Sequence, residues 1–285
     1  MAALSAAIVL LRGIHDAALL VLVGAVGFMH LPPPRLRPLL WPAISGLAFA
    51  GGTVALGAGF LWFLADAVRV AQADGIVAAL QAVPAFVIYL RFAKLLLLQL
   101  ALIAGAVALV RWHGPALGLA CLAVLVQPWL GHPAEVSMAL AAADAVHLLA
   151  ASAWAGELVP LILCLFLLRP VDAVDVFQRF LTIGAVAVAA LFGSGAILGL
   201  TLAGGVSGLT DSAYGRVALL KAGLFVTALA LAAVNRFLLT PRLGRAHTAS
   251  HTLARSVAAE AILAAAIVLA AGWLSQLPPA GLAMH

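Results

Sequence analysis

The stretch AAADAVHLLAASAWAGELVPLILCLFLL, Ala141–Leu168, decides how the chain is read. It is apolar over a length that crosses roughly 30 Å of hydrocarbon at about 1.5 Å rise per helical residue. It nevertheless carries Asp144, His147 and Glu157, which a bilayer interior should reject. Stretches of the same kind recur along all 285 residues, which are 66% hydrophobic and 9% charged. An ordinary soluble domain is about a quarter charged, so no water-soluble fold covers this much apolar surface. The composition therefore predicts an all-α polytopic membrane helix bundle, read as a single transmembrane domain over residues 1–285.

Eight apolar segments are expected, at about Leu4–Leu31, Leu40–Ala65, Val83–Val110, Pro115–Leu130, Met138–Leu168, Phe177–Ala203, Tyr214–Leu239 and Leu253–Leu277. Turn formers punctuate them: LPPPRLRP after the first, HGP after the third, GHP after the fourth and LTPRLG after the seventh. Proline stops a helix and glycine permits the reversal. The first segment holds Arg12, His15 and Asp16 in its interior and runs on to Met29, so it reads as a span and not as a cleaved leader.

Arginine distribution sets an expected orientation. Connections after the first, third, fifth and seventh segments hold Arg35, Arg37, Arg111, Arg169, Arg179, Arg242, Arg245 and Arg255; the opposite side holds chiefly Arg69 and Arg216. By the positive-inside rule the arginine-rich side is cytoplasmic and both termini face the periplasm. The other side carries Asp66, Asp74, Glu135 and Asp211, an acidic mouth that attracts cations. The net charge of +5 reads as loop charge that orients the protein in lipid, and no basic, aromatic-interleaved stretch points to nucleic acid. Small residues crowd the second segment (SGLAFAGGTVALGAG) and the sixth (GSGAILG), where they let helix backbones approach.

Each ionisable residue at mid-membrane costs about 2.5–3.5 kcal/mol, so such residues tend to face a protein interior and mark a pathway. His147 lies about 14 Å into the fifth segment, and Asp144, three residues earlier, shares its helix face. A carboxylate there can accept the imidazole N–H or join it in binding a cation. The first segment repeats the pattern with Arg12, His15 and Asp16, placing His15 at a similar depth. His132 stands at the outer mouth after the fourth segment. Three imidazoles so placed suit a late first-row metal, since imidazole nitrogen favours copper, zinc or nickel over magnesium or calcium. His30, His113, His247, His251 and His285 fall at loops or ends and read as solvated. Arg91 and Lys94 in the third segment, Lys221 in the seventh and Glu260 in the eighth complete the interior charges; Glu157 and Glu260 lie towards the cytoplasmic half. Cys121 and Cys164 have no CxxC partner, and Met1, Met29, Met138 and Met284 form no thioether ladder.

The segment VHLLAASAWAGELVPL resembles the HLLAAxxWxGGL motif of CopD-type copper-resistance membrane proteins, and YGRVALLKAGLFVTALALAAVNRFLLTPRL (Tyr214–Leu243) is similar to a second, longer motif of that family. The likeness extends to LRGIHDAALLVLVGAVGF, to GHP and to EAILAAAIVLAAGWLSQLPP. It implies an eight-span inner-membrane protein that carries copper from periplasm to cytoplasm beside a periplasmic CopC-type carrier. The family's histidines fall on His15, His132 and His147, and its acid on the last span falls on Glu260. Glu157 departs from the pattern, standing where the motif has a glycine.

These expectations converge on a copper permease with no enzymatic activity, using His132 to collect the ion, His15 and His147 to bind it, Asp144 to orient His147, and Glu260 further along. No GxxxxGKS motif offers a nucleotide site, so gradients or cytoplasmic capture would drive transport. A haem-binding membrane electron carrier would also use buried histidines, although no span here spaces two of them for two haems. A non-transporting receptor or assembly partner for a copper carrier is the third reading.

Overall fold

Proline, glycine and charge divide the apolar sequence where the helices end. A computed structural model describes residues 2–72, 76–243 and 249–282; Met1, Asp74, Arg245, His247, Met284 and His285 lie outside them. The described residues form helices and turns without strands. Eight helical stretches among them are long and apolar enough to cross a membrane: Ala3–Phe28, Arg37–Ala71, Arg91–Ala108, His113–Leu130, Met138–Leu167, Pro170–Ala203, Ala213–Arg242 and Ala249–Leu274. The protein is an all-α, multi-pass membrane bundle.

The elements in order are α1 (Ala2–Phe28), α2 (Arg37–Ala71), α3 (Ile76–Tyr89), α4 (Arg91–Ala108), α5 (His113–Val126), α6 (Pro133–Val136), α7 (Met138–Trp154), α8 (Leu158–Leu167), α9 (Pro170–Ala203), α10 (Val206–Asp211), α11 (Ala213–Val234) and α12 (Ala249–Leu274). Helix α1 runs through the middle, packing on α2 most extensively and also on α5, α7, α8 and α12. Its Leu22, Ala25 and Phe28 are buried, as is Met29 just beyond its end. Large apolar side chains such as Phe60, Ile88, Val186, Leu220 and Ile262 point outward instead, as a lipid-facing surface requires. At the arginine-rich end, Arg35 and Arg169 converge on Asp172, at 3.1 and 3.0 Å, and tie the first connection to the start of α9.

Two spans depart from the expected outline. The third was expected at Val83–Val110, but Leu90 is extended and separates α3 from α4. Arg91 and Lys94 therefore open a helix and are exposed, where they can reach the interface; they are not interior charges. The fifth span breaks at Ala155–Glu157. Here Gly156 meets Gly24 of α1 so closely that a Cβ on either would run into the other's backbone or its neighbours. Two glycines thus let α1 cross the fifth span at its turn. Asp66, expected in an outer connection, is instead buried near the end of α2 and paired with Arg69 at 2.6 Å.

Candidate functional site

A cavity of about 550 Å³ opens between α1, α7, α9, α11 and α12. Leu, Phe, Trp and Ala side chains form most of its wall, and the polar groups are few: Arg12, Asp16, Gln127, His132, Asp144, His147, Tyr214, Lys221 and Ser275. Two cations and two carboxylates balance in formal charge. Three of the five sequence-predicted ligands, His132, Asp144 and His147, line this one space. His15 and Glu260 are not among its lining residues.

His147 reaches the cavity from the middle of α7. Its Nδ1 lies 3.0 Å from Ser194 Oγ on α9. Ser194 in turn donates its own proton to the Ala190 carbonyl, so towards the imidazole it can only accept. The Nδ1–H therefore donates to Ser194, and Nε2 is left with its lone pair on the cavity side. Gly195 makes room for the ring: a Cβ there would lie 3.3 Å from His147 Cε1. Asp144 lines the same wall but makes no hydrogen bond among the described residues. The expectation that it accepts the His147 N–H is thus replaced by Ser194, a residue on a different helix that carried no signal in the sequence.

His132 stands at the mouth, in the turn before α6. Its Nδ1 donates to Glu135 Oε2 at 3.3 Å, and its Nε2 has no partner. Both cavity histidines thus keep an uncommitted Nε2, although that of His132 is buried. They are not neighbours: among the described residues no three of His, Cys, Asp or Glu gather closely enough to hold one metal ion.

His15, at a depth like that of His147, is used differently. It is fully buried, with Nδ1 2.8 Å from the Ala55 carbonyl and Nε2 3.1 Å from Gln99 Oε1. The Gln99 amide nitrogen donates to Ala123 O (2.9 Å) and Gln127 Oε1 (2.6 Å). Gln127 donates to Asp16 Oδ1 at 2.6 Å, and Arg12 lies 3.8 Å from Asp16 Oδ2. Both ring nitrogens thus face oxygens within the bundle, and neither is open to the cavity. Gly59 clears the space, since a Cβ there would stand 2.5 Å from His15 Nδ1. The network links α1, α2, α4 and α5 and reaches the cavity through Gln127 and Asp16.

Glu260 belongs to a third place. It is buried in α12 and accepts from Asn235 Nδ2, where α11 gives way to a π-helical turn over Asn235–Leu239. Glu157 is buried at the break in the fifth span, with Oε2 unpartnered. At the arginine-rich end, His30 and His113 come together with ring centroids 5.9 Å apart. Burial, then the His113 ring and Arg37, holds His30 below the usual histidine pKa of 6.5.

The family model described as Copper resistance protein D matches residues 174–274, and that described as Copper resistance protein D-like, N-terminal domain, matches residues 1–142. The chain belongs to the copper resistance protein D family. Copper resistance protein D of Pseudomonas syringae pv. tomato is 35% identical over 183 residues, 57% of this chain and 57% of that protein. Inner membrane protein YebZ of Escherichia coli (strain K12) is 34% identical over 102 residues, 35% of each chain. Copper transport protein CutJ of Bacillus subtilis (strain 168) is 31% identical over 161 residues, 54% of this chain and 29% of that protein. The chain thus spans little more than half the length of the first relative and less of the other two. No solved structure matches it. The cavity draws on both matched regions, with Arg12, Asp16, Gln127 and His132 from the first and Tyr214 and Lys221 from the second.

Proposed function

We propose that the protein carries copper ions across a bacterial inner membrane, from periplasm to cytoplasm, through the cavity between α1, α7, α9, α11 and α12. His132 collects the ion at the mouth and His147 Nε2 binds it at mid-depth. The one observation that carries this reading is the 3.0 Å contact of His147 Nδ1 with Ser194 Oγ: the serine proton is committed to the Ala190 carbonyl, so Ser194 accepts from Nδ1–H and leaves the Nε2 lone pair to a half-open cavity whose formal charges balance. Imidazole nitrogen suits copper, and a fixed tautomer strengthens it as a ligand. Asp144 and Asp16 offset the ion's charge. A CopC-type carrier would deliver to His132, and no catalytic step is involved. His15 and Glu260 act beside this path: His15 as a tie between helices, Glu260 with Asn235 in the wall of the α11–α12 pair.

Copper loaded outside proteoliposomes tests the proposal. Uptake should be present in the native chain and lost in His147→Ala; uptake undiminished in that variant overturns the site. Reporter fusions near Arg242 and at the C-terminus should fall on opposite faces of the membrane, with the Arg242 reporter cytoplasmic. A second reading, haem held by His147, draws on the cavity volume, which exceeds what an ion needs. A purified sample with no absorption in the Soret region disposes of it.

A further inference from the structure

His30 follows the end of α1, and His113 begins α5, two helices that are far apart in sequence and adjacent at the arginine-rich end of the bundle. Their ring centroids are 5.9 Å apart at an interplanar angle of 75°. Two imidazoles bound to one metal through nitrogens at about 2.0–2.1 Å have centroids roughly 5–6.5 Å apart, so the pair already stands at ligand spacing. His113 Nδ1 is buried and has no hydrogen-bond partner. The Trp41 ring covers His113 at 4.5 Å, and Arg37 pins the loop by donating to the carbonyls of His30 (3.2 Å) and Pro32 (3.0 Å).

A carboxylate stands one turn inside. A Cβ built on Gly27 would lie 3.7 Å from both Glu157 Oε1 and Leu117 Cδ1, which places the acid between α1 and α5, one turn from each histidine. Glu157 is 5% exposed, and its Oε2 has no partner. A buried carboxyl group without a hydrogen bond is costly, and such groups in a membrane tend to mark a path. The break in the fifth span that places Glu157 there is the kind of helix discontinuity found at transporter sites.

We infer that His30 and His113 form a second metal site, at the end of the bundle opposite His132, with Glu157 as the acidic step between it and the interior. The ligand class is a late first-row ion that accepts two imidazoles, with Cu(I) the best match because it needs few ligands. The choice of copper rests on the function proposed above; the paired imidazoles do not. The site would receive an ion leaving the cavity and offer it, on exposed His30, to an acceptor outside the bilayer.

Two measurements test it. Anaerobic Cu(I) titration of the detergent-purified full chain against a chromophoric chelator should lose one equivalent in H30A/H113A. His147→Ala should lose a different one. An unchanged count in H30A/H113A overturns the second site. If the native chain binds one equivalent that survives His147→Ala and disappears in H30A/H113A, the cavity reading fails and this one stands. The native protein supplies the other arm, free of any folding defect in the variant: acylation of His30 by diethylpyrocarbonate, read by mass spectrometry, should be blocked by saturating Cu(I). Modification of His30 at an unaltered rate overturns the proposal.

Discussion

His15 and His147 sit at similar depths on spans of similar composition, yet the protein spends them in opposite ways. His15 is enclosed by α2, α4 and α5, and an oxygen faces each of its nitrogens. His147 faces Ser194 Oγ and the Leu191 carbonyl, both on α9, and a cavity. Depth and spacing do not decide what a buried histidine does; whether acceptors meet one ring nitrogen or both does. A ring with both nitrogens engaged stiffens the packing of its helices, whereas a ring with one nitrogen engaged is an oriented ligand.

The largest effect should come from exchanging the two by truncation. His147→Ala should abolish the cavity's copper equivalent while moving the melting temperature little, because it removes one hydrogen bond at a cavity wall. His15→Ala should do the reverse. It leaves Gln99 Oε1 without a partner inside the bundle, at about 1–3 kcal/mol, and strips the Ala55 carbonyl of its contact beyond the helix. Copper stoichiometry and thermal unfolding measured on the same samples decide the matter. Lost copper in a well-folded His15→Ala protein would break the comparison.

The next effect probes the room made for His15. Gly59→Val should lower the yield of folded protein or its melting temperature, since a Cβ meets His15 Nδ1 at 2.5 Å and Leu100 Cδ2 at 2.7 Å. Overpacking of this kind typically costs about 1–3 kcal/mol. Gly57→Val, where a Cβ meets nothing within 4 Å, is the matched control. Equal stability of the two variants would mean that the His15 pocket is looser than its geometry indicates.

Composition and the spacing of apolar runs made the bundle legible: all eight spans lie near their expected places, because hydrocarbon thickness sets their length and proline and charge end them. Breaks inside apolar runs were not legible. Nothing local distinguishes Leu90 or Ala155 from their neighbours; the fifth span turns because Gly156 and Gly24 let two backbones cross, and a pairing between distant helices is invisible to a pattern read along one. The candidate site divided in the same way. His132, Asp144 and His147 could be read as polar residues in apolar surroundings, and they share the cavity. His15 looked equivalent, and only Gln99, Ala55 and Gln127 on other helices show how it is used. Gln99 and Gln127 were themselves a signal, being amides buried in apolar spans, which hydrocarbon rejects unless each finds partners. The pairing of His30 with His113 escaped the sequence because both lie at helix ends, where solvation is the default expectation.

Ser194→Ala should have an intermediate effect on the cavity. It removes the side-chain acceptor at His147 Nδ1 and leaves the Leu191 carbonyl, and the loss of such a partner typically weakens metal binding about 10–100-fold. The melting temperature should change little. Ser194→Thr, which keeps the hydroxyl, should restore much of the affinity if the added methyl group is accommodated. Copper affinity in Ser194→Ala equal to that of the native chain would show that the ring is held by packing against Gly195 and α9 alone.

The smallest effect should come from Asp144→Asn. The spacing of Asp144 and His147 invites the reading that the carboxylate orients the imidazole, and on that reading its amide should cost as much as losing Ser194. The structure gives the orienting role to Ser194 and leaves Asp144 as a charge on the cavity wall beside Asp16, Arg12 and Lys221. A charge acting across a cavity, without a hydrogen bond to the ligand, contributes on the order of 1 kcal/mol in a partly solvated site, or about 5-fold in affinity. Asp144→Asn should therefore weaken copper binding less than Ser194→Ala does, and more so at low than at high ionic strength, since screening acts on the charge and not on a hydrogen bond. A loss in Asp144→Asn that exceeds the loss in Ser194→Ala, and that salt leaves unchanged, would place the carboxylate in direct contact with the bound ion and make the acid, not the serine, the partner that sets His147 apart from His15.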